Sequence, residues 1–411
     1  MPTTIARSLS QCLDLVEATR DILVGRVTDP EVPPWCRARG WETFLLGLSA
    51  DEISRCESLG PAPFLAAHPS APEDLRELAV AAKRATAIAA LEERAEPYPV
   101  GERAVPLRKE RQLQILLDVC RDLSVSAERI VDVGSGRGHL TRLASRVFGK
   151  PALGVERERD RLDVARRLSS DASVSYLCTD AVDEGIPCRP TDLVIGLHAC
   201  GDLGDLVVRA AATEGASVVL VSCCFQKTRA EARHALSEQA RRRAFSLPRA
   251  TLGVGNLGVR SVGVDWTIGE TMSARSARHA LRAILRARGV MLDAGAEMHG
   301  VNRRRAYDGL PALTAHVLRL RGLPPATDTE LALAAARADT DHAIVRRLSI
   351  PRTLLARLVE VTIVLDRAAF LEEHGYQVRV AQVFGDAVSP RNLGILGRGP
   401  RSGASPIARP T

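Results

Sequence analysis

Between residues 108 and 222, short apolar runs alternate with amphipathic stretches, and no other feature of this sequence narrows the fold as far. Ile130–Val133, Ala152–Glu156, Val174–Cys178, Leu193–Leu197 and Ser217–Ser222 are rich in Val, Ile and Leu and end at glycine or polar turns. Short runs that are apolar on both faces read as strands covered on both sides. Helical patterns lie between them: Lys109 to about Leu123 ahead of the first, a stretch ending near Phe148, and 160–169. Parallel neighbours need crossovers long enough to hold such helices. The expectation is therefore an α/β fold with a doubly wound, mostly parallel sheet and helices on both faces.

The flanks complete the count of elements. Leu354 to Phe370 is a helix pattern broken at His374-Gly375. Gln377–Phe384 and Asn392–Leu396 then read as two strands across a proline-containing turn, making an antiparallel edge and seven strands in all. Residues 1–95 read as a helical N-terminal region. Cys12, Leu13, Leu15 and Val16, and later Leu75, Leu78, Ala79 and Ala82, follow helical spacing; Trp41, Phe44, Leu45 and Leu48 form a short stripe ahead of Ser49, an expected N-cap. Glu96–Gly101 is the expected linker. The main domain is expected over 105–398, with a helical insertion around 228–350 (helices near 229–243, 275–288 and 328–347) and a loose tail over 399–411.

Composition excludes several classes. At 45% hydrophobic and 26% charged the chain matches a globular protein, and no apolar run reaches the roughly 18–20 residues that cross a bilayer. Charged and polar residues occupy the N-terminus where a signal peptide needs an apolar stretch, and the nine cysteines form no framework. Cytoplasmic localisation with reduced thiols and no membrane partner is expected. The net charge of +7 and pI near 9.1 suit an anionic partner such as RNA without demanding one. Only four of the 56 basic residues are lysines, a skew that reads as genome-wide base composition.

The sharpest motif is Val131-Asp132-Val133-Gly134-Ser135-Gly136-Arg137-Gly138-His139-Leu140, placed between a strand and a helix. Glycines there permit positive φ and close approach of a ligand, and a helix N-terminus offers N–H groups. The spacing is G-x-G-x-G, with His139 where a dinucleotide fingerprint has its third glycine. This favours S-adenosyl-L-methionine over NAD, with Asp132 facing the ligand's cationic amino-acid end. Glu156 ends the second strand at the interval where an acid reaches ribose hydroxyls. Asp180, after the third strand, is placed to accept from the adenine amino group. The expected cofactor-binding set is Asp132, Gly134, Ser135, Gly136, Gly138, Glu156, Asp180 and His198.

A second constellation follows the fourth and fifth strands, in Gly196-Leu197-His198-Ala199-Cys200-Gly201-Asp202-Leu203 and Val221-Ser222-Cys223-Cys224-Phe225-Gln226. Ligands of open α/β sheets bind beyond the carboxyl ends of the strands, so His198, Cys200, Cys223 and Cys224 are the candidate catalytic residues. Three readings stay open: buried packing of the thiols, zinc binding, or acceptor positioning and proton transfer. The spacing lacks C-x₂₋₄-C, and no metal set is assigned. His-Ala-Cys-Gly after the fourth strand also replaces the Asp/Asn-Pro-Pro-aromatic of enzymes that methylate exocyclic base amines.

These residues resemble class I S-adenosylmethionine-dependent methyltransferases. More narrowly they resemble the methyltransferase-like protein 25 family, whose relatives are labelled ribosomal RNA adenine dimethylase domain-containing. DVGSGRGHL, GLHACGDL, SCCFQK, LVEVTIVLDRAAFLEEHGY, VSPRNLGIL and the Trp41 to Glu52 stretch carry the likeness. Where such proteins tend to have a Lys-Lys-x-His-Glu-like element, this chain has Arg108-Lys109-Glu110-Arg111, without the histidine. The resemblance implies donor binding through Asp132, Gly134, Gly136, Gly138, Glu156 and Asp180. The expected activity is methyl transfer to an RNA or protein acceptor ahead of a small molecule, with Arg241–Arg243 and Arg303–Arg305 suited to phosphate. The alternative is a non-catalytic S-adenosylmethionine-binding module acting in assembly. Nothing in the sequence sets the oligomeric state.

Overall fold

The computed structural model describes residues 3–92, 107–169, 171–257, 267–292 and 295–400. Five parallel strands come first: β1 Arg129–Val133, β2 Ala152–Glu156, β3 Val174–Cys178, β4 Asp192–Cys200 and β5 Ser217–Cys223. β6, Gln377–Gln382, and β7, Leu393–Arg398, run antiparallel to each other, and β7 pairs antiparallel with β5. The sheet order is β3-β2-β1-β4-β5-β7-β6, the expected seven-stranded, mostly parallel α/β arrangement with an antiparallel edge. The strand order reverses between the paired neighbours β1 and β4, so the connections leaving their carboxyl ends part there and leave a crevice.

Burial explains why these runs became strands. β1 and β5 are buried along nearly their whole length, as expected of strands covered on both faces. On one face Ile130, Ile195, Val219 and Val221 share a core with Leu113, Leu116, Leu117 and Cys120 of helix Leu107–Ser124 and with Leu140, Leu143 and Ala144 of helix His139–Phe148. Helix Asp202–Glu214 packs on β4 and β5, and helix Ala356–Glu373 packs on β6 and β7. The latter helix is buried almost all round, Asp366 and Arg367 included.

The chain forms two compact units whose boundaries differ from those expected. The first comprises residues 1–20, 81–259 and 355–411; the second comprises 21–80 and 260–354. Helix Thr4–Ala18 therefore belongs with the sheet, because Leu9, Cys12 and Leu13 are buried and the helix packs along Ala356–Glu373. Residues 228–259 belong there too. The helix expected near 229–243 is instead a short ribbon, Ala232–His234 with Ser246–Pro248, enclosing helix Glu238–Arg242. Asp366 captures this segment by accepting from the Leu236 and Ser237 amides and the Ser237 hydroxyl, at 3.0, 3.0 and 2.7 Å. The expected linker at 96–101 and the tail from 401 lie outside the described residues.

The second unit is helical. Its helices include Ala50–Leu59, Ile268–Ala287, Leu310–Leu320 and Asp328–Leu348. Ser49 caps the first of these in a full capping box with Glu52. Buried Trp41 donates its indole N–H to Asp74, and fully buried Glu297 accepts from Arg278 and Arg282. Among the described residues no helix is long and apolar enough to cross a membrane.

Candidate functional site

A cleft of about 480 Å³ opens at the carboxyl ends of β1 to β5, at the switch point. Val133, Gly134, Glu156, Arg161, Thr179, Asp180, His198, Cys200, Asp202, Lys227 and Arg229 are among its lining residues. Of the expected cofactor-binding set, Gly134, Glu156, Asp180 and His198 line it. Asp132, Ser135, Gly136 and Gly138 do not, and each has a local reason.

The glycine loop spends its amides on its own shape. Gly134 and Ser135 both donate to the Val155 carbonyl, Gly138 donates to Ser135, and Gly136 donates to Glu156 Oε2 at 2.9 Å. These four amides are thus taken up locally, whereas the sequence reading expected the turn to offer N–H groups. Gly136 has φ +57°, and a Cβ added there would meet open space. Gly138 has φ +70°, and its Cβ would fall within 2.7 Å of Tyr176 ring carbons. Ser135 Oγ lies against Gly154 on the sheet side, where a Cβ would come within 2.9 Å of it. Asp132 is buried and accepts from the Thr141 hydroxyl at 2.7 Å; burial raises its carboxyl to about 6.

The two strand-end acids have diverged. Glu156 is 7% exposed, and its Oε1 accepts from the Arg157 and Glu158 amides while Oε2 accepts from Gly136. A carboxylate has about four acceptor sites, so capacity remains toward the cleft. Asp180 instead caps helix Ala181–Glu184 through the Val182 amide, and its other oxygen accepts from Arg229 at 3.1 Å. Arg229 also pairs with Asp183, and its amide donates to Asp202. Thr179, which precedes Asp180 and also lines the cleft, is buried, and its Oγ1 has no partner among the described residues.

On the other side of the cleft, β4 carries a bulge between Leu197 and Ala199, and His198 there has φ +61°. A positive φ is uncommon outside glycine and marks a conformation imposed by its surroundings. The bulge aims the His198 carbonyl at two thiols: Cys200 and Cys223 Sγ each donate to it at 3.2 Å. Cys200 and Cys223 are register partners across β4 and β5, and their Sγ atoms stand 2.8 Å apart. Hydrogen bonds with Cys200 and Cys223, aided by the charges of Lys227 and Arg391, hold the Cys224 thiol far below its ordinary value. Hydrogen bonds with Cys200 and Cys224, together with burial, push the Cys223 thiol up. Burial lowers the His198 imidazole, which keeps it neutral near pH 7.

A buried network fixes this side. Arg367, 0% exposed, donates to Asp205 at 2.7 Å, Ser222 Oγ at 2.7 Å and the Gly201 carbonyl at 3.0 Å. Arg233 bridges Asp205 and Asp366. The ends of β4 and β5 are thereby tied to the C-terminal helix. The sequence reading missed Arg229, Thr179 and Arg367. Only Arg367 left a signal, as part of an Asp-Arg pair inside an otherwise apolar helix.

Residues 108–231 match a family model described as a methyltransferase domain. Among solved structures, the chain is similar to DesVI of Streptomyces venezuelae (22% identity, 30% of this chain, 56% of that one, TM-score 0.24). It is also similar to a geranyl diphosphate C-methyltransferase from Streptomyces coelicolor A3(2), in complex with S-adenosyl-L-homocysteine (20% identity, 33% and 56% coverage, TM-score 0.23). A third likeness is to the plantazolicin methyltransferase BpumL (14% identity, 42% and 61% coverage, TM-score 0.23). The chain spans less than two thirds of each of these proteins.

Proposed function

We propose that this protein is an S-adenosylmethionine-dependent methyltransferase. The observation that carries the reading is the donor half of the cleft: Glu156, anchored by three backbone amides, beside the unmatched Thr179 hydroxyl and in front of Gly134, where an added Cβ would meet only Leu203 at 3.8 Å. These residues fit a ribose-bearing ligand that needs hydroxyl acceptors and no pyrophosphate cradle. When bound, S-adenosylmethionine supplies an electrophilic methyl group on a sulfonium. Glu156 accepts from the ribose hydroxyls, and Thr179 completes the polar wall. His198, neutral and lining the cleft, takes the proton from an acceptor that must lose one. Placement does most of the remaining work, since orientation alone lowers barriers by roughly 7–11 kcal/mol. We extend the reading to a macromolecular acceptor, RNA or protein, supported by the basic side chains of Arg157, Arg161 and Lys227 on the cleft wall and by the net charge of +7. The narrower resemblance to the methyltransferase-like protein 25 family belongs to the same proposal.

Calorimetry with S-adenosylmethionine, its demethylated product and NAD tests the donor, with binding of the first two and not the third expected. Labelled donor incubated with RNA, protein and small-molecule fractions of a cell extract then tests the acceptor. His198→Ala should lower incorporation while leaving donor affinity unchanged. NAD binding, or no donor binding by folded protein, would overturn the proposal; donor binding with no incorporation anywhere would leave the non-catalytic module.

A further inference from the structure

The thiols at the ends of β4 and β5 are arranged as ligands rather than as packing. Sγ of Cys200, Cys223 and Cys224 all lie within 4.8 Å of one another. Packing cysteines behave as small hydrophobes that face apolar neighbours. Here the sulfurs face each other, and Cys200 and Cys223 approach to 2.8 Å, closer than even carbon atoms settle in contact at roughly 3.5–4.0 Å. Three sulfurs gathered this closely are within reach of one shared cation. A cation with metal–sulfur bonds of about 2.3 Å in tetrahedral geometry would hold neighbouring sulfurs roughly 3.8 Å apart, a shift of about 1 Å for this pair.

We infer that Cys200, Cys223 and Cys224 form a three-thiolate site for a soft divalent cation of the zinc type. The vicinal pair Cys223-Cys224 supplies two ligands from the end of β5, and Cys200 supplies the third from its register partner strand. Binding releases the thiol protons to solvent and leaves a centre of net charge −1, offset by Lys227 and Arg391, whose charges act on Cys224. Cys200 also lines the cleft, so the fourth coordination position opens there, toward water in the resting protein. Three protein ligands with one open position is the pattern of a catalytic rather than a structural zinc site. The sequence reading assigned no metal because the spacing lacks C-x₂₋₄-C; the register of two strands does what that spacing does elsewhere. The site stands independently of the proposed methyl transfer.

The full chain, purified under reducing conditions without chelator, tests it by elemental analysis and by cobalt substitution of metal-stripped protein. Expected are about one zinc per chain and thiolate-to-cobalt charge-transfer bands. Cys224→Ser and Cys223→Ser should each weaken zinc binding by at least about 100-fold, while Cys178→Ser, a thiol bonded elsewhere, changes nothing. If a variant fails to fold, the wild-type cobalt spectrum still decides. Folded wild-type protein that takes up no zinc, or binds it equally well as Cys224→Ser, overturns the inference. So does a thiol titration under denaturing conditions showing a Cys200–Cys223 disulfide. Donor affinity measured on the same samples separates this failure from failure of the proposed function.

Discussion

The two halves of the cleft are built by opposite means. On the β1–β3 side the backbone makes the site: positive-φ glycines shape the turn, and amides of the turn and of β2's end hold Glu156. On the β4–β5 side the side chains make it: two thiols converge on a bulge carbonyl, a third lies beside them, and a buried arginine steadies the strand end. A backbone-built site tolerates varied side chains around it but no Cβ at its turns. A side-chain-built site depends on partners far away in the chain.

That contrast can be broken at three points. Arg367→Ala should have the largest effect, destabilising the protein by about 3–5 kcal/mol, because it leaves Asp205 with Arg233 alone, empties a fully buried position and takes the donor from the Gly201 carbonyl and Ser222. Urea denaturation reads this, and Arg367→Lys should not restore it, since lysine lacks the planar fork. A near-neutral result would mean that the thiol side does not lean on the C-terminal helix. Gly136→Val comes next. Valine at φ +57° is strained, the turn must shift, and Glu156 loses one of its three amides; donor affinity should fall by roughly 100-fold, or about 2.7 kcal/mol, with the fold retained. Unchanged affinity would move the donor away from this turn. The pair Glu156→Ala and Asp180→Ala sharpens the comparison within the donor side. The first should cost about 1.5–3 kcal/mol of donor binding. The second should cost about 1 kcal/mol of stability as a lost helix cap, and little affinity. The reverse ranking in a calorimetric titration would give Asp180 the ligand and Glu156 the structural role.

Much of the donor side could be read from the sequence because it is local. The glycine turn, its flanking strand and helix, and the acid ending the next strand lie within 27 residues, from Ile130 to Glu156, and strand patterns also placed the antiparallel edge. What was not legible depends on pairing at a distance. The bulge at His198 exists only against β5, and Ser135 turns toward the sheet only because Gly154 leaves it space. Asp132 looked like a ligand residue at the end of a strand, but its side chain is on the face covered by helix His139–Phe148 and meets Thr141. The partition into units was hidden for the same reason: Asp366 reaches 129 positions back to Ser237 to draw residues 228–259 onto the sheet unit.

The place of β7 has a consequence for how the chain is made. Among the described residues it is the last strand synthesised, yet it lies in the middle of one half of the sheet, between β5 and β6. At roughly 5–20 residues per second the ribosome needs on the order of ten to thirty seconds to travel from residue 223 to residue 393. Throughout that interval β5 offers the nascent chain an unsatisfied edge of Val218, Val219, Leu220 and Val221, the kind of surface that recruits foreign strands. The stretch that matches the methyltransferase-domain model ends at residue 231, so expressed by itself it would carry that open edge permanently.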